Sequence, residues 1–513
     1  MKRSSLISQG SLNRILQSAG EAWKRCDFSS AIEMMERAHR LNPSNAALLL
    51  DLGRMHGLRH DYAAAERCFE QAVRLAPQKS AALAAAGQQC REFNHLTLAE
   101  KYLQRALEQK DVSPATIVQL AEVHERQRRP EMAANLIDRV LHADPACAPA
   151  LLVRARLDRQ AGRLEDAEQR LRAFPAQAGL QLCVSAAYEL GSILDRMGRY
   201  DDAMTAFLKA KGSAQFELER HAAELKIIRG RISAMTANAT DDVLRQWFAD
   251  GSKLQPSHRL ALLGGHPRSG TTLLEQVLDS HPDIISAEET EVFYNEAFGP
   301  LLRGHPDDSA MFAGPAAATP AQLQQSRQNY FCAMDLSLGQ PVAGRLLVDK
   351  NPSYTFLIPA LIRIFPEIRF LIALRDPRDV VLSCFMQNLP LNQTGAACLT
   401  LASTTAEYAA LMTVWQTVKA RMANPYLEVR YEDMVENLES VARKTLDFLD
   451  VPWDAKVLGF DEHARQKTVR SPTYADVTQP VYKRAVGRWR NYQKHLEPHL
   501  EKLEPFIKAF GYE

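Results

Sequence analysis

The chain has 513 residues, 46% hydrophobic and 24% charged, which is enough apolar material for about three domains. Lys and Arg total 62 and Asp and Glu 61, a net charge of +1 that excludes a strongly basic nucleic-acid binder and an acidic disordered tail. The average conceals a split. Residues 1–257 hold 36 basic and 31 acidic side chains (+5), and residues 258–513 hold 26 and 30 (−4). The opening stretch MKRSSLISQGSLNRILQ lacks the apolar region of a secretory signal, and no apolar run nears the ~18 residues that span a bilayer. The eight cysteines form no CxxC pair and sit mostly in apolar periodic segments, which predicts buried free thiols in a reducing, cytoplasmic setting.

The N-terminal half repeats. Small residues recur at Ala31, Ala65, Ala99, Ala133, Ala167 and Ala203, with gaps of 34, 34, 34, 34 and 36. Four residues after each comes a larger apolar residue: Met35, Phe69, Leu103, Ile137, Leu171 and Phe207. Twelve before comes a small one in all but the first: Gly53, Gly87, Ala121, Ala155 and Gly191. Pro43, Pro77 and Pro145 fall where one unit must stop before the next. Each unit therefore reads as two short amphipathic helices, in which small residues allow close approach and large ones fill the groove. One pair cannot bury its apolar face alone, so stacking supplies the core. The pattern resembles the tetratricopeptide (TPR) family, with the first and fifth units least regular. That resemblance implies a superhelix binding a peptide or partner protein; a spacer or scaffold is the alternative. The stretch AQFELERHAAELKIIRGRI beyond it is helical in pattern.

After Ser257 the texture changes. RLALLGG suits a buried strand, and HPRSGTTLLEQVLDSHP runs from a glycine-containing loop into a helix. Strand, loop and helix N-terminus together form a phosphate cradle, and Gly265 and Gly270 allow its tight turn. Against the nucleotide loop GxxxxGK[ST], Gly265, Gly270 and Thr272 fit, but Thr271 stands at the lysine position and the loop's strong cation is Arg268. This argues against ordinary ATP or GTP chemistry. PRSGTT resembles the 5′-phosphosulfate loop of sulfotransferases that use 3′-phosphoadenosine 5′-phosphosulfate (PAPS); a generic anion loop is the alternative. The resemblance gives Arg268, Ser269, Gly270, Thr271 and Thr272 to donor binding.

Further along, IRFLIALRDPRDVVLSCFMQ reads as a strand, Arg375, then a helix with Asp376 as N-cap and Pro377 at its first position. Arg375 leaves the strand where α/β folds place ligands, and Ser383 lies about two turns on. Such a pair can clasp one phosphate. Arg-x7-Ser after a strand resembles the 3′-phosphate motif of the same family; pairing of Arg375 with Asp376 or Asp379 is the alternative.

SHPDIISAEETEVF and VDKNPSYTFLIPALIRIFP sharpen the match toward the protein-tyrosine sulfotransferase branch. There a glutamate of an EET sequence is the catalytic base, which by position is Glu289, with Glu288 its neighbour. An acceptor hydroxyl needs such a base as the sulfuryl group moves in line. The resemblance makes Arg268 a stabiliser of charge on the transferring group and Lys350 its assistant, though Lys350 could instead pair with Asp349. His266 reads as structural. Tyr431, after the strand in YLEVRYEDM, matches a family tyrosine near the adenine or else lies at a core edge. SPTYADVTQPVYKRAVGRWRNY resembles the C-terminal donor loop, with Lys483 and Arg484 where the family's R-K-G order is absent, and Arg488 and Arg490 nearby. The contacting cation among the four stays open at this point. No His/Cys/Asp cluster has metal-ligand spacing.

These signals predict an all-α TPR solenoid over residues 10–212 (six repeats). Capping helices and a connector over 213–257 and an α/β P-loop-type sulfotransferase domain with a mainly parallel sheet over 258–513 complete the expected order. The expected activity is PAPS-dependent, metal-free sulfuryl transfer to a hydroxyl acceptor, by resemblance a protein or peptide tyrosine. The array would bind acceptor or partner, without nucleic acid or a membrane span, and the oligomeric state stays open. Alternatives are a sugar or small-molecule acceptor and a partner-binding scaffold with an inactive sulfotransferase half. The tyrosine branch is typically anchored in the Golgi, and a −4 half suits a strongly acidic peptide poorly. Regions 303–345 and 386–408 are expected to shape the acceptor cleft.

Overall fold

A computed structural model describes residues 3–255, 257–305, 309–466 and 483–513, with side chains from residue 10 onward. The chain divides into two compact units, Met1–Ile193 and Leu194–Glu513.

The first unit is built from paired helices. Arg3–Lys24 pairs with Phe28–Leu41, Ala46–Leu58 with Tyr62–Leu75, and Lys79–Glu92 with Leu96–Leu107. Pro114–Arg126 then pairs with Pro130–Ala143 and Ala148–Gln160 with Leu164–Arg172, and Leu180–Arg196 comes next. Polar residues start several of them. The Asn45 side chain accepts from the Ala47 amide, Asp61 from Ala64 and Ser113 from Thr116, each satisfying an amide that the helix cannot. The periodic alanines 31, 65, 99, 133 and 167 are fully buried, as are Phe69, Leu103 and Ile137. A methyl group on Gly87 would lie 2.6 Å from Leu103 Cγ, and one on Gly53 would run into the Phe69 ring. The small-and-large repeat is thus the packing contact itself, as the TPR pattern requires.

The second unit begins at Leu194, so Asp195 at the end of Leu180–Arg196 belongs to it, and continues with Tyr200–Glu219, Ala222–Asn238 and Asp241–Asp250; the helical stretch after Ala214 breaks at Arg220–His221. These helices are bonded to the later part of the same unit. Lys211 donates to the Cys398 carbonyl, Arg229 Nε to Glu407 at 2.8 Å, and Arg421 Nη1 to the Ala239 carbonyl at 3.0 Å. The sheet has five strands: β1 Leu260–Gly265, β2 Ile284–Glu288, β3 Leu346–Lys350, β4 Arg369–Leu374 and β5 Tyr426–Arg430. Their order is β2-β3-β1-β4-β5 and every pairing is parallel. Helices cover a parallel sheet on both faces, so its strands read as apolar runs, and β1 is buried along its whole length. One face packs Leu274, Val277 and Leu278 of the loop helix and Ala442 and Leu446 of Leu438–Phe448 against Ala261, Leu263, Leu371 and Val429. Register brings Glu288 opposite Lys350 and Gly265 opposite Ala373, so the strands' C-terminal ends lie side by side.

Among the described residues no helix is long and apolar enough to cross a membrane. None of the eight cysteines is in a disulfide; Cys90, Cys384 and Cys398 are buried, Cys332 is exposed and the other four are half-buried.

Candidate active site

The phosphate-type loop grows from the end of β1. Gly265 has φ 119°, and a Cβ there would strike the Ala373 carbonyl oxygen on β4, so this crossing of the two strands needs glycine. Thr355 Oγ1 brackets it, accepting from the Gly265 amide at 2.8 Å and donating to its carbonyl at 2.9 Å. Arg268 (φ 75°) and Gly270 (φ 92°) are left-handed and turn the chain into the helix Thr271–Asp279. Gly270 is its N-cap and brings no side-chain acceptor, so the first-turn amides are not taken up by a cap. Ser269, Thr271 and Thr272 are buried along the loop. His266 is buried with Nδ1 2.8 Å from the Pro267 carbonyl, and burial pushes its imidazole down to about 4, so it stands neutral in the framework.

Two arginines meet here. Arg268 Nε donates to Ser383 Oγ at 3.1 Å, across from the helix Pro377–Phe385, whose N-cap is Asp376. Arg375, just past β4, donates from Nη1 to the Arg268 carbonyl at 3.2 Å and from Nη2 to the Ala485 carbonyl. Its guanidinium lies 4.9 Å above the Tyr431 ring and 3.8 Å from Asp379 Oδ2. Arg375 Nε is buried and has no hydrogen-bond partner among the described residues. A buried guanidinium N–H is costly unless something accepts from it. An anion seated beside the loop would do so, and the residues present therefore fit a phosphate-bearing donor.

The C-terminal segment closes on the same helix. Asp379 accepts from the Gly487 amide at 2.8 Å and the Trp489 amide at 2.7 Å. Burial raises its carboxyl, opposed by Arg375 and those amides. Lys483, Arg484 and Arg490 are exposed, whereas Arg488 is turned to Asp195 at 2.8 Å. Residues 471–482 of the expected donor loop lie outside the described residues.

The other half of the site lies at the ends of β2 and β3. Lys350 Nζ is fully buried, 2.8 Å from Glu289 Oε1, 3.4 Å from Glu288 Oε1 and 3.7 Å from Glu275 Oε2. Burial alone would push this ammonium down; the three carboxylates outweigh it and hold it above its ordinary value. Ser286 Oγ donates to Glu275 Oε1 at 2.7 Å and orients that buried carboxylate. Glu289 is the most open of the three, with 42% of its side chain exposed, at a left-handed φ of 48°, and its amide donates to the Lys350 carbonyl at 2.7 Å. Asp349, the alternative partner of Lys350, points to the opposite face of β3, where Tyr330 donates to it at 2.8 Å. Burial raises its carboxyl to about 7.

The structure thus gathers Arg268, Ser269, Gly270, Thr271, Thr272, Arg375, Ser383 and Tyr431 around the loop, and Glu289 with Lys350 at the neighbouring strand ends. Lys483 and Arg484 flank Ala485. Sequence reasoning missed Glu275. Its approach to Lys350 is made only by the packing of the loop helix beside β2 and β3, so the sequence carried no signal for it. Among the described residues no group of three or more His, Cys, Asp or Glu side chains is placed to hold a metal.

Family profiles match stretches in both halves of the chain. The family profile described as "Sulfotransferase family" matches residues 261–455, and that of the tetratricopeptide repeat matches 59–114, 118–179 and 152–217. An uncharacterized protein of Aquifex aeolicus is 25% identical over 340 residues, 64% of this chain and 42% of that protein, so the chain spans less than half of that relative. Protein-tyrosine sulfotransferase 1 of Danio rerio is 27% identical over 269 residues, 50% of this chain and 72% of that one. Among solved structures, the sulfotransferase domain of the Synechococcus PCC 7002 olefin synthase overlaps 46% of this chain and 90% of that domain, at 23% identity and a TM-score of 0.34. Residues 261–455, which hold all five strands but the first residue of β1 and the cradle at their C-terminal ends, thus carry a match to the sulfotransferase family in a chain that also carries tetratricopeptide repeats.

Proposed function

We propose that the chain transfers a sulfuryl group from PAPS to an acceptor hydroxyl. The observation that carries this reading is the meeting of a glycine-turned anion loop, an arginine whose buried Nε has no partner among the described residues, and a Glu289–Lys350 pair on adjacent strand ends, within residues that match the sulfotransferase family. The donor, when bound, supplies the sulfuryl group. Arg268 and the loop residues Ser269, Gly270, Thr271 and Thr272 would hold its 5′ end, and Arg375 and Ser383 its 3′-phosphate. Tyr431 would lie near its adenine, with Lys483 and Arg484 completing the charge.

Glu289 takes the proton from the acceptor hydroxyl at its exposed carboxylate. The cluster of three carboxylates and one ammonium has a formal charge of −2, and proton uptake leaves −1. Glu275 and Glu288 then still hold Lys350 as an ammonium, free to turn its donors toward developing negative charge. Arg268 adds a second cation on the loop side.

By similarity to the zebrafish protein-tyrosine sulfotransferase, the acceptor proposed is a protein or peptide tyrosine, with the repeats binding that protein or a partner. Residues 303–345 and 386–408 would shape its cleft. The test is to incubate the chain with labelled PAPS and extract of its host and to identify the labelled product by mass spectrometry. Label on tyrosine is expected. Label on a sugar or small molecule replaces the acceptor and keeps the reaction; no transfer to any hydroxyl overturns the reaction.

A further inference from the structure

The donor segment is tethered from two directions, and one anchor lies outside the family domain. On one side Asp379 receives the amides of Gly487 and Trp489. The side chain of the residue between them, Arg488, goes to Asp195, with Nε 3.1 Å from Oδ1 and Nη2 2.8 Å from Oδ2. Tyr492 donates its hydroxyl to the same Asp195 Oδ1 at 2.6 Å. The Tyr492 ring meets the Tyr200 ring edge-on at 5.5 Å. Arg488 Nη2 also lies 3.4 Å from Met386 Sδ, directly after the helix that carries Ser383. Two residues before Gly487, the Ala485 carbonyl accepts from Arg375.

Asp195 and Arg488 both fall outside residues 261–455, so no part of the matched family profile supplies this clamp. The two are mostly buried, with 16% and 28% of their side chains exposed. A two-point guanidinium–carboxylate pair in such surroundings fixes orientation as well as charge. The nearby Lys494–Asp201 pair is 62% and 73% exposed and, screened by water, fixes little.

We propose that Asp195 is a positioning residue of the donor site: by holding Arg488 and Tyr492 it fixes the segment from Ala485 to Trp489 against Arg375. This rests on the donor reading above. Without the carboxylate, Arg488 and Tyr492 lose their common acceptor, and the segment is left to its bonds with Asp379 and Arg375. The Ala485 carbonyl then drifts from Arg375, and the exposed cations Lys483 and Arg484 lose their fixed placement.

The test is calorimetric titration of the full chain with 3′,5′-adenosine bisphosphate, together with steady-state kinetics. Asp195→Asn is expected to weaken bisphosphate binding about tenfold, the scale of a charge-assisted hydrogen bond. The PAPS KM should rise in step, while kcat at saturating donor and the acceptor KM stay within about twofold, a split that loss of folded protein does not produce. Asp195→Glu should recover most of the affinity, and Lys494→Ala should leave it unchanged. If Asp195→Asn does not fold, Tyr492→Phe, which keeps the ring against Tyr200 and removes only the hydroxyl, should weaken binding about threefold. Unaltered affinity in the folded variant, or a fall in kcat alone, overturns the proposal. Failure of the unmodified chain to bind the bisphosphate overturns the donor reading and this inference with it.

Discussion

Two lysines are buried in the second unit, and their surroundings push them in opposite directions. Lys350 at the end of β3 sits among Glu275, Glu288 and Glu289, which hold its ammonium above the ordinary value despite burial. Lys211 on the helix Tyr200–Glu219 donates to the Cys398 carbonyl and lies 5.2 Å above the Phe385 ring; burial pushes it down to about 8, opposed by Cys398 and Cys384. Burial wins at Lys211, whereas at Lys350 three carboxylates replace the water that an ammonium gives up. Burial of a charge therefore does not by itself single out a candidate site; the excess of opposite charge is what sets Lys350 apart from Lys211.

The largest effect that would sharpen this contrast is expected from Lys350→Met. It leaves three carboxylates facing one another and should cost about 3–5 kcal/mol in urea denaturation, with turnover falling too. A stability within about 1 kcal/mol of the unmodified chain would break the comparison. Glu289→Gln should separate chemistry from folding. Turnover is expected to drop ~100- to 10000-fold, the range for loss of a general base, while the denaturation midpoint and bisphosphate affinity hardly move because this carboxylate is half-exposed. Normal turnover removes Glu289 from the proposed chemistry.

The smallest and most diagnostic effect belongs to Lys211→Met, expected to stabilise the fold by roughly 1–3 kcal/mol at pH 7 by replacing an ammonium with an apolar chain of similar length. The depressed value sets the sign with pH. Between about 8 and the ordinary 10.5, the unfolded chain keeps a proton that the folded one has lost, so stability of the unmodified chain rises with pH there. The advantage of Lys211→Met should therefore shrink across that window, and denaturation at pH 7 and pH 10 measures it. A constant gap would place the ammonium in water.

Much of the architecture was legible because it repeats or obeys strand chemistry. The 34-residue alanines are the helix contacts, and Asp376–Pro377 begins its helix at the expected place. The places of Arg375 past β4 and of Ser383 on the next helix were readable from spacing, since strand, cap and helix fix both, but the bond from Arg268 to Ser383 was not. The partners of Lys350 were not. Asp349 is adjacent in sequence yet faces the other way, and the carboxylates come from residues 275, 288 and 289, which only parallel pairing of β2 with β3 and the packing of the loop helix bring together. Asp195 was beyond reach for the same reason, since 293 residues separate it from Arg488.

The register of β3 has a consequence for folding fidelity. Side chains alternate along a strand, so a slip by one residue would turn Asp349 into the glutamate cluster and send Lys350 toward Tyr330. Four carboxylates would then crowd together without a cation, and an ammonium would be stranded against a phenol. Correct pairing is thus rewarded and its nearest error penalised by the same two neighbouring residues, so the charges proposed to serve sulfuryl transfer also proofread the assembly of the sheet.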